Sequence, residues 1–262
     1  SQTDLMWFYL TKVVFLHNSY LSLSIAMNVV ECLRMSGAKS IWEPRIISED
    51  VTYAVRLHYV MFPLEFRDLR DALERNGYEL ARIEGRIPSR PTRIGFSGEI
   101  ARKGEIIVEI DSGEGGIGLR GRTLDEAMTG FEQLSQVIRT ELGVDIHLNV
   151  WYYSLVAHFT LRTGTAPRYT IPKVVEDNPY FSRFNEILGE QTSMFSVRLF
   201  PTDKISYGAD WFDIAIEPDI LDADAYHIGV VFRNPDKGRT QDFVKNLKQV
   251  LFDLLKVIEG KM

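Results

Sequence analysis

Gly116-Ile-Gly118-Leu-Arg-Gly121 matches GxGxxG, follows an apolar stretch and precedes a helical pattern. In that setting glycines let a backbone approach a pyrophosphate held at a helix N-terminus. Asp111 and Glu114 would repel phosphate there, and no flanking strand–helix–strand repeats accompany the run. Glycines of a hairpin or bulge account for the same letters. Glu217, Asp219, Asp222 and Asp224 offer oxygens for a hard cation but lack the glycine turn and ligand spacing of a calcium loop, so they read as a solvated acidic turn. His17, His58, His147, His158 and His227 show no paired spacing of the HExxH kind. Ser97, in Gly95-Phe-Ser-Gly98, does not fit a nucleophile elbow. Trp151, Tyr152, Tyr153 and Phe159 offer ring faces for stacking bases, but they read as core and sheet-face packing instead. No catalytic residue, cofactor or metal site is assigned from these patterns.

The clearest charge feature is basic. Between Arg82 and Lys103, the cations Arg82, Arg86, Arg90, Arg93, Arg102 and Lys103 outnumber Glu84 and Glu99. A hairpin of that kind suits a nucleic-acid backbone or an acidic partner, but it reads first as a solvated edge strand whose charge discourages sheet-to-sheet pairing. Arg86, Arg90 and Arg93 are therefore candidate partner-binding residues.

The elements that would position these residues follow from periodicity and breakers. Gly37–Glu49, with Pro44, reads as a linker. Val51–Val60 reads as a strand, and Pro63 opens a helix with Phe66, Leu69 and Leu73 on one face, stopped at Asn76-Gly77. Strands are expected at Tyr78–Arg86, Arg93–Ala101, Glu105–Asp111 and near Ile117–Arg120. Thr123-Leu-Asp-Glu126 is a capping box whose helix runs to Leu142. A second series follows: a long strand over Ile146–Leu161 and a helix opened by Asn178-Pro179 with Phe181, Phe184 and Leu188 as its apolar face. Strands at Phe195–Phe200, Trp211–Glu217 and Tyr226–Arg233 come next. A closing helix then carries Phe243, Leu247, Val250, Leu251, Leu254 and Ile258. The order implies an α+β protein of tandem β-α-β(3-4)-α halves forming one continuous antiparallel curved sheet, with helices packed on one face. Residues 1–50 are an N-terminal extension and linker, 51–143 the first half and 144–262 the second.

Composition agrees with a globular chain: of 262 residues, 45% are hydrophobic and 25% charged, with a formal net charge of −6. Neither half is a basic module, which disfavours nucleic acid and anionic membrane as partners. Cys32 is the single cysteine, so an intrachain disulfide and a thiolate zinc site are excluded and a cytoplasmic location is expected. The apolar runs Leu5–Leu10, Val13–Leu16 and Leu21–Val30 are broken by Lys12, His17, Asn18 and serines, which fits a docked helix or strand better than a membrane span. Asp4, where a signal peptide would be basic, argues against a leader.

The strand, helix, antiparallel strands and long helix, twice over from about Tyr53, resemble the saddle of TATA-binding-protein-like folds. Phe195-Ser-Val-Arg-Leu-Phe200, Tyr226-His-Ile-Gly-Val-Val-Phe232 and the closing helix resemble a sporadically distributed two-half α+β family, a likeness that implies a fold and no chemistry. CRISPR RNA-processing endonucleases are similar in having tandem α+β halves and a glycine-rich loop, but theirs lies near the C-terminus and this one lies mid-chain. Strand parity separates an apolar face (Val55, Leu57, Ile106, Val108, Ile110, Phe195, Val197, Leu199, Phe212, Ile214, Ile216, Ile228, Val230, Phe232) from a polar one. Arg56, His58, Arg198, His227 and Arg233 share the polar face with Glu105, Glu109, Asp111, Asp213 and Glu217. A DNA saddle needs a positive surface and apolar wedges, and this mixed-charge face supplies neither. The expectation is a non-enzymatic scaffold that binds a protein partner or a second copy of itself, with Arg56, His58, Arg198 and His227 added to the candidate contacts. The alternatives are a nucleic-acid-binding protein using the basic hairpin, or a small-molecule enzyme with a site between the halves.

Overall fold

The computed structural model describes residues 42–58, 63–82, 97–176, 178–204 and 208–261. Glu43–Met262 form one unit built on a nine-stranded antiparallel sheet, curved and unclosed, with five helices among the described residues. The strands are β1 (Arg45–Leu57), β2 (Glu79–Leu80), β3 (Ser97–Lys103), β4 (Ile106–Asp111), β5 (Gly116–Gly121), β6 (Val150–Arg162), β7 (Val197–Leu199), β8 (Trp211–Pro218) and β9 (Ala225–Asn234). Their order across the sheet is β2-β3-β4-β5-β1-β6-β9-β8-β7. The helices are α1 (Phe66–Arg75), α2 (Leu124–Leu142), α3 (Pro167–Thr170), α4 (Tyr180–Leu188) and α5 (Lys237–Ile258).

The long strands β1 and β6 pair at the centre, from Arg45 opposite Arg162 to Leu57 opposite Val150. Because alternate residues face opposite sides, Val51, Tyr53 and Val55 share a buried face with Leu155, Ala157 and Phe159 of β6 and with Ile228 and Val230 of β9. Three helices cover that face. Phe131 of α2 meets the Tyr53 ring edge-on at 5.0 Å. Phe243 of α5 stacks on Phe232 at 4.0 Å, and Thr170 of α3 shares a 2.6 Å hydrogen bond with the Tyr226 hydroxyl. Gly130 lets α2 lie close, since a Cβ there would come within 2.9 Å of a Leu119 methyl. The end of α5 is tied down by Glu259. Its buried carboxylate accepts from the hydroxyls of Thr163, Thr165 and Tyr226 and pairs with Lys261.

Local signals account for most boundaries. Thr123 Oγ1 accepts from the Glu126 N–H at 3.1 Å, while the Glu126 carboxylate reaches the Arg122 N–H, a variant of the expected box. Gly77, Gly143, Gly189 and Gly260 end four helices in the left-handed region. Several expectations need correction. The strand expected at Tyr78–Arg86 is only Glu79–Leu80 among the described residues, and that at Phe195–Phe200 only Val197–Leu199. β1 begins at Arg45, inside the presumed linker, because Arg45–Asp50 pair with the far half of β6. Pro63 precedes α1 rather than opening it. Ile146–Asn149 form a turn before β6 instead of strand. The α5 core stripe is Val244, Leu247, Leu251, Leu255 and Ile258, one residue on from the expected Phe243 and Leu254. The apolar stripe of α4 buries no residue at all. No described helix is long and apolar enough to cross a membrane.

Candidate functional site

Among the described residues no helix covers the face of the sheet opposite α2, α3 and α5, and the floor of this open face is made of small residues. Gly116 and Gly118 of β5 lie beside Arg56 and Ala54 of β1, and Ser154 of β6 lies beyond Ala54. A side chain on Gly118 would put its Cβ 2.7 Å from that of Ala54. The GxGxxG run is therefore a central strand between β1 and β4; Gly118 serves close packing against β1, and Gly121 lets α2 approach, since a Cβ there would lie 2.9 Å from the Ala127 backbone nitrogen. Toward the other end, His158 and His227 stack with ring centroids 5.5 Å apart. Gly229 stands opposite His158, where a Cβ would make only ordinary contact with the imidazole, 3.7 Å from its Nδ1.

Carboxylates take up most cations on this face. Arg56 pairs with Glu114 and lies 3.7 Å from Asp111. Arg120 grips Asp50 through two nitrogens, and this hydrogen bonding holds the Asp50 carboxyl below its usual range. Arg102 pairs with Glu99, Arg162 with Asp222 and Arg198 with Asp213. Exposed pairs of this kind add little stability, but they cancel the positive potential that a phosphate backbone would need. The Glu109 carboxyl, surrounded by the sheet, has its pKa pushed up by burial. In the acidic turn after β8, Asp219 Oδ1 accepts the N–H groups of Leu221 and Asp222 at 2.8 and 3.0 Å, and Asp222 pairs with Arg162.

Arg233 breaks this pattern. Its guanidinium lies 5.3 Å from the Tyr152 ring centre and 6.0 Å from that of Trp211, and no carboxylate pairs with it among the described residues. Its Nε is buried without a hydrogen-bond partner. The register explains the cluster: Arg233 stands between Ser154 of β6 and Trp211 of β8, with Tyr152 two residues along β6. Arg56 Nε donates to the Tyr152 hydroxyl at 3.3 Å. A bulge lies alongside, where Arg56 pairs with Tyr152 and Leu57 with Val150, so Trp151 has no opposite residue. Trp151 stays 42% exposed and packs against Tyr152 and His58 at 5.1 and 6.2 Å.

Arg56 and His58 thus join one aromatic end of the open face. His227 sits toward the opposite end, stacked on His158, and Arg198 lies on the last strand, held by Asp213. Arg86, Arg90 and Arg93 lie outside the described residues. Trp211 was missed as a contact residue, and Arg233 was placed on the polar face without its aromatic neighbours. Only cross-strand register joins these two residues to Tyr152.

Fold and site together define an α+β protein with a single antiparallel sheet, one face under helices and the other open. Comparison of the chain with protein-family models and with curated protein sequences gives no match.

Proposed function

We propose that the protein is a non-enzymatic binding module that docks a protein partner on the aromatic end of its open sheet face. The observation that carries this reading is Arg233: an open-face arginine without a carboxylate among the described residues, set between Trp211 and Tyr152 and next to the exposed Trp151. Trp, Tyr and Arg are the residue types that dominate binding energy at protein interfaces. The internal neutralisation of Arg56, Arg102, Arg120, Arg162 and Arg198 weighs against nucleic acid as the partner. Outward from the β1–β6 pair the order runs β5, β4, β3 on one side and β9, β8, β7 on the other. That arrangement supports an origin by duplication and the saddle resemblance. A cytoplasmic location belongs to the same proposal and rests on the single cysteine.

Two measurements test it. Labelled single- and double-stranded DNA and RNA, titrated at about 50 and about 200 mM salt, should show no salt-steep binding. Proteins cross-linked to the wild type in lysate should be lost together from the Trp151→Ala and Arg233→Ala variants. Salt-steep oligonucleotide binding, or a captured set indifferent to both substitutions, would overturn the proposal.

A further inference from the structure

Helix α4 is nine residues long and buries none of them, leaving Tyr180, Phe184, Ile187 and Leu188 exposed. A helix this short is marginal on its own in water, so such a stripe calls for a surface to cover it. The chain then turns back, with Asn185 Oδ1 accepting the backbone N–H and hydroxyl of Thr192 at 2.6 and 2.7 Å. It continues into β7, the last strand of the sheet, which among the described residues pairs only with β8. Phe195 and Phe200, on either side of β7, are 63% and 57% exposed. Edge strands are usually protected by outward charge or proline. Here the one charge on the strand, Arg198, is bound by Asp213 of its own sheet.

We propose that β7 and α4 form a homodimer interface in which β7 pairs antiparallel with β7 of a second copy across a two-fold axis. Three observations select a second copy as the occupant. The first is charge: Arg183 pairs with Glu186 at 2.8 Å and Arg198 with Asp213, so apart from Glu190 the charges of the patch are paired within one copy and a second copy meets little repulsion. The second is area. Large apolar side chains expose roughly 150–250 Å² each when free. The exposed fractions on α4 and residues 195–200 then leave about 800 Å², the contribution of one partner to a standard interface. The third is register. A dyad through Val197 sets Phe195 opposite Leu199 of the second copy on the helix-covered face and Ser196 opposite Arg198 on the open face. A dyad through Arg198 would oppose two arginines, which is destabilising. An isologous pairing of this kind closes as a dimer and removes the free edge.

Sedimentation equilibrium from about 1 to about 100 μM, the range where an interface of this size is populated, should give twice the monomer mass. Phe195→Asp and Leu188→Glu, both at exposed positions, should each give a monomer with unchanged circular dichroism and a melting temperature that no longer rises with protein concentration. In a Cys32→Ser background, Val197→Cys should oxidise to a disulfide-linked dimer. Leu199→Cys should not, because its counterpart lies about 13 Å further along the strand, beyond disulfide reach. A wild-type monomer throughout this range, a dimer that survives both charge substitutions, or equal cross-linking at 197 and 199 would overturn the proposal. The open-face reading fails separately, since a Phe195→Asp monomer keeps Trp151 and Arg233 intact for partner capture.

Discussion

Three buried tyrosines make opposite predictions for one chemical change. Tyr53 is 0% exposed, its ring is packed on Phe131, and its hydroxyl has no hydrogen-bond partner among the described residues. Burial also pushes its pKa up, so it remains a neutral phenol. An unsatisfied buried polar group costs about 1–3 kcal/mol. Deleting the oxygen opens a void of roughly 10–15 Å³, which costs about 0.3 kcal/mol. Tyr53→Phe should therefore stabilise by about 1 kcal/mol or more, raising Tm by roughly 2–4 °C per kcal/mol in a chain of this size. Tyr226 has the same exposure, but its hydroxyl meets Thr170 Oγ1 at 2.6 Å and the Glu259 carboxylate at 3.1 Å. Its loss to phenylalanine should cost about 1.5–3 kcal/mol, the range for a hydrogen bond to a charged group. Tyr153, whose hydroxyl lies 3.0 Å from His147 Nδ1, should fall between them, losing about 1 kcal/mol. Urea denaturation monitored by circular dichroism measures all three, with an unchanged m-value confirming that the native state is intact. A Tyr53→Phe protein less stable than wild type, or a Tyr226→Phe protein more stable, would refute this account of the core.

Gly118→Ala should destabilise by about 1–3 kcal/mol, because the new methyl meets Ala54 and the Tyr53 carbonyl oxygen, at 2.7 and 3.2 Å. Gly116→Ala should be nearly neutral in the same thermal melts, since its closest neighbour is the mobile end of Arg56 at 3.2 Å. Equal losses at the two positions would contradict the sheet-packing role of Gly118. His147 has its pKa lowered, first by burial and then by Lys237, with Glu132 and Asp145 opposing. Its folded pKa lies below the unfolded one, so the unfolded chain takes up the proton first. The stability it contributes is full above about pH 6.5 and is lost as pH falls through the folded value. Denaturation midpoints of wild type and His147→Gln should therefore diverge above that pH and converge below it; parallel curves would show that His147 carries no linkage.

Much of the fold could be read from side-chain alternation. Val55, Leu57, Val108, Ile110, Ile214, Ile216, Ile228 and Val230 all lie on the buried face that period two assigns them. Phe195 and Leu199 share that parity yet remain exposed, because parity identifies a face and not whether anything covers it. The first turns of β1 escaped notice because Arg45–Asp50 lack apolar alternation; their strand conformation depends on β6, more than a hundred positions away. The site was less legible still. Arg56 and His58 were identifiable as polar-face residues, whereas the meeting of Arg233 with Trp211 and Tyr152 depends on the pairing of three strands. Side-chain periodicity carries no information about that register.

The central position of β1 also bears on how the chain acquires its structure during synthesis. One side of β1 pairs with β5 and the other with β6, so Val51 contacts both Gly121 and Ala157. During translation the β5 side can close first, while the β6 side stays unpaired until residues 150–162 have left the ribosome. At about 5–20 residues per second, the two closures are separated by seconds, a window in which a long apolar strand is available to the wrong neighbour. Pairings of such sequence separation are slow even in the complete chain. Chaperone engagement should therefore peak on nascent chains that contain β5 but not yet β6.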